Sequence, residues 1–119
     1  MKNKPANSPN QVGLPLTEPV FLILLSLASG KKHGYAILKD VEDLSRKRLT
    51  LSTSTLYGAL ARLEDLGWIE HVAVESPATP GLPRRVFQLS SNGRRMLEEE
   101  THRMHNLAAL AQQRLSENG

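Results

Sequence analysis

The run from Leu51 to Ile69 constrains this chain most: Leu-Ser-Thr-Ser-Thr-Leu-Tyr-Gly-Ala-Leu-Ala-Arg-Leu-Glu-Asp-Leu-Gly-Trp-Ile. It reads as one short helix. Ser52 is a good N-cap, because its hydroxyl can accept a hydrogen bond from an orphan amide of the first turn. Leu56, Leu60 and Leu63 recur at helical spacing, with Ala59 and Leu66 widening the apolar stripe. Gly67 ends the helix where a left-handed residue is wanted. The opposite face carries Ser54, Gly58 and Ala61, flanked by Tyr57 and Arg62. A face of small and hydroxyl residues between an aromatic ring and an Arg can approach another surface closely, and the major groove of duplex DNA has the matching width.

The chain has 119 residues, enough for one domain. Aromatic residues make up only 4% of it, so Leu, Ala, Val and Ile must supply most of the core. Net charge is +3 and the sequence pI is near 9.5, which is compatible with a nucleic-acid partner. Local basic clusters stand out more than the sum: Arg46-Lys47-Arg48 before the key helix, and Arg84-Arg85 after a Pro-rich stretch. Cys is absent, so neither a disulfide framework nor a thiolate zinc site is expected. The longest apolar run, Val20 to Leu25, is too short to span a bilayer. Lys2 and Lys4 are followed by Pro and Asn rather than an apolar block, so no signal peptide is read and a cytoplasmic protein is expected.

Along the chain, residues 1–13 have almost nothing to bury and read as a flexible N-terminal arm. Thr17-Glu18-Pro19 looks like a helix start, Thr capping and Pro tolerated in the first turn. That helix runs to about Ser29, is apolar nearly all round and should be buried, with Gly30 ending it. A second helix is expected from about Tyr35 to Ser45, with Ile37, Val41 and Leu44 inward and Lys39, Asp40, Glu42 and Asp43 outward. Joined to the third helix by a short polar turn, it makes a helix-turn-helix. Ile69, Val72 and Val74, then Val86, Phe87 and Leu89, form two short strands around the Pro/Gly loop 76–83, which is a wing. Ser90 caps a last helix running to about Ser116, with Gly93 an odd residue in its first turn. Leu97, Thr101, Met104, Ala108, Ala111 and Leu115 make a heptad-like seam that Leu107 and Leu110 broaden. A stripe that long calls for a partner helix, most simply from a second copy of the chain.

His33-Gly34-Tyr35-Ala36-Ile37, Leu56-Tyr57 through Leu60, Arg62-Leu63-Glu64, Gly67-Trp68-Ile69, and Pro83 through Ser90 with Gly93 together resemble the PadR family of bacterial transcriptional regulators. The resemblance spans roughly residues 16–100. It implies a winged helix-turn-helix over residues 14–89, mainly α with a small β-hairpin, and a C-terminal dimerisation helix and tail over 90–119. It further implies a homodimer that binds operator DNA and usually represses transcription. Gly58 stands where the family commonly has Pro, and Val86-Phe87 replace a usual Tyr pair. The single C-terminal helix looks like the short branch of the family. Some members of that branch bind flat, drug-like molecules through an aromatic residue of this helix. No aromatic follows Phe87, so that mode is not expected.

The DNA-contacting candidates are His33, Tyr35, Ser52, Thr53, Ser54, Tyr57, Arg62, Arg84 and Arg85. Hydroxyls and free amides at a helix start can bond phosphates or base edges, and the paired Arg can clamp phosphates beside the minor groove. The blander readings are that Ser52 only caps and that Tyr57 and Tyr35 only pack. The expected dimer seam is Leu97, Thr101, Met104, Leu107, Ala108, Ala111 and Leu115. Glu99-Glu100-Thr101-His102, with Glu98 and His105, has a metal-like Glu-x-x-His spacing, but it reads as a solvated charged face because no second motif completes a site. No metal and no cofactor are expected. No nucleophile converges with a His and an acid, so catalysis has no support. A winged-helix module that docks a protein instead of DNA is the competing reading, and the two basic clusters speak against it. A small-molecule effector lying between the wing, the first helix and the last is compatible with DNA binding.

Overall fold

The computed structural model describes residues 13–74 and 84–118, so the loop expected at 76–83 lies outside the described residues. The elements follow the order α1 (Glu18–Ala28), β1 (Lys32–His33), α2 (Gly34–Leu44), α3 (Thr53–Asp65), β2 (Ile69–Val74), β3 (Arg84–Leu89) and α4 (Ser91–Asn118). Three of the four helix starts are set by a hydroxyl, as the sequence suggests. The Thr17 side chain accepts from the Val20 amide, Ser52 from Thr55 and Ser90 from Gly93. At the end of α3 the Gly67 amide bonds Glu64 O and the Trp68 amide bonds Leu63 O, a Schellman pair that needs the left-handed φ of 78° found at Gly67.

β2 and β3 pair antiparallel from Ile69↔Leu89 to Val74↔Arg84. A third strand, absent from the sequence reading, joins the other edge of β3, with Lys32 opposite Phe87 and His33 opposite Val86. Two residues leave no periodicity to read, which is why β1 escapes notice. The core gathers Leu22, Ile23, Leu24 and Leu27 of α1, Ile37 and Val41 of α2, the stripe Leu56, Ala59, Leu60 and Leu63 of α3, then Trp68, Ile69, Phe87, Met96 and Leu97. The helix-turn-helix with its hairpin is therefore a single packed unit, a mainly α winged helix-turn-helix.

Four expectations need correcting. Leu44 was expected to face inward but is 43% exposed, because the chain turns away at the end of α2 through buried Ser45. Gly13, counted with the flexible arm, is buried, and a Cβ there would lie 2.3 Å from Met96 and 3.1 Å from Trp68. Leu97, counted with the dimer seam, belongs to the chain's own core. Glu100, counted with a solvated face, is 1% exposed.

Glu100 ties α4 to the segment before α1. Its carboxylate accepts from the Leu16 amide at 2.9 Å, from Arg103 Nε at 2.5 Å and from Arg103 Nη2 at 2.8 Å. Hydrogen bonding to Arg103, helped by the Leu16 amide and the Arg charge, outweighs burial and holds the carboxyl below the ordinary carboxylate value. A group with a depressed folded pKa stabilises above its unfolded value, and that stability is lost as pH falls through the folded one. Glu100→Ala is expected to cost about 2–3 kcal/mol at pH 7, through an unpaired, partly buried Leu16 amide and lost packing. The deficit should shrink in acid, below the unfolded carboxyl value, as denaturant titrations at both pH values will report. An equal deficit at both would contradict the ionic part of this role.

Candidate nucleic-acid interface

The outer face of α3 is free of the core it helps to build. Thr53, Ser54, Gly58, Ala61 and Arg62 are all exposed. A Cβ placed at Gly58 would meet nothing within 4 Å. This helix buries its Leu stripe and presents a surface with no bulky apolar group and, in its first turn, no acidic residue. Ser52 is occupied by capping, and its hydroxyl also donates to Thr55 Oγ1 at 2.9 Å.

Tyr57 sits at the edge of this face, 40% exposed. Its ring meets Phe87 edge-on with centroids 6.4 Å apart, and its hydroxyl lies over Gly34, where a Cβ would come within 2.2 Å. The Gly of the His-Gly-Tyr motif is thus the seat of a tyrosine from the next helix. Packing and outward presentation coexist in this one side chain. Tyr35, in the first turn of α2, is 69% exposed. His33 is the N-cap of α2 but makes no capping bond through its side chain, and its buried Nδ1 has no partner among the described residues. The first-turn amides of α2 therefore lack the side-chain acceptor that the other three helices have.

The basic clusters are less free than the sequence suggests. Arg48 pairs with Glu18 at the start of α1, while Arg46 and Lys47 form the turn after α2 with φ of 55° and 64°. In the hairpin, Arg85 bonds Glu64 of α3 at 2.9 Å through Nη2 and lies over the Phe87 ring, 5.2 Å from its centroid. His71 Nδ1 is also paired with Glu64 and lies 3.2 Å from Arg85 Nη2. A proton on Nδ1 is needed to bond a carboxylate, so this nitrogen donates to Glu64 and cannot also accept from Arg85. Sequence reading missed Glu64 and His71, for neither stands near Arg85 in the chain. For Arg84 only the backbone, paired with Val74, is described.

On α4, Thr101, Met104, Leu107, Ala108, Ala111 and Leu115 are all exposed, with Leu115 at 73%. Glu98, Thr101, His102 and His105 share a shallow surface depression with Leu97, and no metal-binding group of three occurs among the described residues. The place expected for an effector holds a shallow depression of about 360 Å³, lined by Ala28, Lys31, Gln88, Leu89 and Arg94 among others. No helix among the described residues is long and apolar enough to cross a membrane.

Comparison with known proteins agrees with this architecture. The chain resembles an uncharacterized 37.1 kDa protein in transposon TN4556 of Streptomyces fradiae, 39% identical over 87 residues. Those residues are 73% of this chain, which spans only 23% of that relative's length. Among solved structures, a PadR family transcription regulator of Clostridium difficile matches with a TM-score of 0.69 and 24% identity, covering 83% of this chain and 99% of that one. A PadR-like transcription factor of Bacteroides fragilis matches at 0.67 and 26%, covering 79% and 86%. The Bacillus subtilis PadR, solved in complex with operator DNA, shares the fold at a TM-score of 0.60 and 22% identity, covering 67% and 44%. Residues 23–99 match the PadR-like family of transcriptional regulators, so this chain belongs to that family.

Proposed function

We propose that this protein is a cytoplasmic homodimer that binds an inverted-repeat operator in duplex DNA and represses transcription. The exposed small-residue face of α3 is the observation that carries the reading. A helix with Ser54, Gly58 and Ala61 outward can lie deep in a major groove, with Tyr57 and Arg62 at its borders. Tyr35, His33 and the first amides of α2 would face the sugar-phosphate strand. Arg85, with Arg84, would hold phosphates at the wing. The exposed apolar seam of α4 is the surface for a second copy, which would set the two α3 helices about 34–36 Å apart. The seam runs through Thr101, Met104, Leu107, Ala108, Ala111 and Leu115. The operator complex of the Bacillus subtilis PadR supports this use of the fold.

Selection of genomic fragments by the purified protein tests the reading and names the target together. Recovered fragments should share an inverted repeat, and affinity should fall steeply with salt, by about 0.9 in log–log slope for each phosphate neutralised. No enrichment at low salt would remove the reading.

A further inference from the structure

Arg85 is held from two sides, by the Glu64 carboxylate and by the Phe87 ring. His71 and Phe87 are directly opposed in the β2–β3 register, and Arg85 stands two residues before Phe87, so all three side chains share one face of the hairpin. Phe87 is fully buried, so this face is turned toward the helices. Glu64 of α3 reaches it seven residues beyond Tyr57, on the same side of that helix. Its two oxygens are divided, Oε1 to Arg85 and Oε2 to His71. The pair with Arg85 is therefore not the two-pronged fork that would occupy a whole edge of the guanidinium. Only Nη2 is engaged by Glu64; among the described residues Nη1 and Nε have no partner, and the Arg85 side chain is 45% exposed. The guanidinium also lies over the Phe87 ring, 5.2 Å from its centroid, which restrains it further.

We propose that Glu64 is a positioning residue for DNA binding: shared between α3 and both strands of the hairpin, it aims Arg85 at a backbone phosphate beside the recognition helix. An Arg already held in place loses less rotamer freedom when it bonds a phosphate than a free one does. Glu64 also fixes the wing's cation to the helix that reads the groove, so the two dock in one register. The inference rests on the DNA-binding reading given above.

Its test is a cycle of four proteins, wild type, Arg85→Ala, Glu64→Gln and the double variant, binding a duplex recovered by the genomic selection. In the wild-type background Arg85→Ala should weaken binding about tenfold and flatten the salt slope by about one phosphate's worth. In the Glu64→Gln background the same change should cost no more than about twofold, with little change of slope. Glu64→Asp keeps the charge but withdraws the carboxylate by one methylene, and the benefit of Arg85 should drop there too. Amide exchange over β2 and β3 should be unchanged in both Glu64 variants. An Arg85→Ala cost as large or larger in the Glu64→Gln background overturns the proposal, for Glu64 then acts independently of Arg85 or competes for it. So does an opened hairpin in the Glu64 variants, or no cost of Arg85→Ala in the wild type. Failure of the wild type to bind any duplex at low salt overturns the DNA reading itself, and this proposal with it.

Discussion

Gly58→Glu is expected to make the protein slightly more stable and almost unable to bind DNA. Gly58 lies in the middle of α3 with open space where its Cβ would be, so the folded chain accepts a side chain without strain. Replacing a helix-interior Gly by Glu gains about 0.5 kcal/mol in helix propensity, and thermal unfolding should move up by a few degrees. The same Glu would stand at the centre of the surface offered to the groove. A carboxylate pressed toward phosphates, without a partner, costs several kcal/mol, which is about a hundredfold or more in affinity. Opposite signs for stability and binding separate a functional face from a structural one. Gly58→Ala is the control, with about 0.8–1 kcal/mol gained and binding kept. If Gly58→Glu binds as well as the wild type, the outer face of α3 is not the reading surface.

Gly93→Ala carries the largest expected loss of stability. A Cβ at Gly93 would sit 1.9 Å from the carbonyl oxygen of Trp68 and 2.8 Å from its carbon. That oxygen already accepts from the Ser90 amide, and the Ser90 hydroxyl donates to Gly67 O at 2.6 Å. The obstacle is backbone held by two crossing bonds rather than a side chain that can swing aside. The first turn of α4 must lift away from the start of β2, at a cost of about 2–4 kcal/mol. Because α4 carries the seam proposed for the second copy, the shift should also weaken DNA binding more than the fraction unfolded explains. Chemical denaturation beside binding at matched folded protein checks both parts. A variant as stable as the wild type would mean that α4 does not depend on this close approach.

Features that depend on one residue and its near neighbours were legible in the chain. The three hydroxyl caps, the left-handed Gly67 and the inward stripe of α3 follow from local chemistry and a 3.6-residue period. What stayed hidden depends on distant partners. Glu100 reads as solvated beside Glu98 and Glu99, and only the Leu16 amide, 84 residues away, makes its burial sensible. Gly93 looks out of place until the Trp68 carbonyl is set against it. Gly34 gains its meaning from the Tyr57 hydroxyl. Arg85 reads as a free cation, yet it is held by a carboxylate 21 residues earlier. Family resemblance pointed to the candidate surface, but the division of Glu64 between the two hairpin strands required the fold.

Footprinting with hydroxyl radicals on a selected genomic fragment tests the reading of α3 most directly. The wild type should protect two stretches centred about one helical turn, 34–36 Å, apart on one face of the duplex, and Gly58→Glu should lose both. A single protected stretch, or two that persist in the Gly58→Glu variant, would contradict the view that paired copies of α3 read the groove.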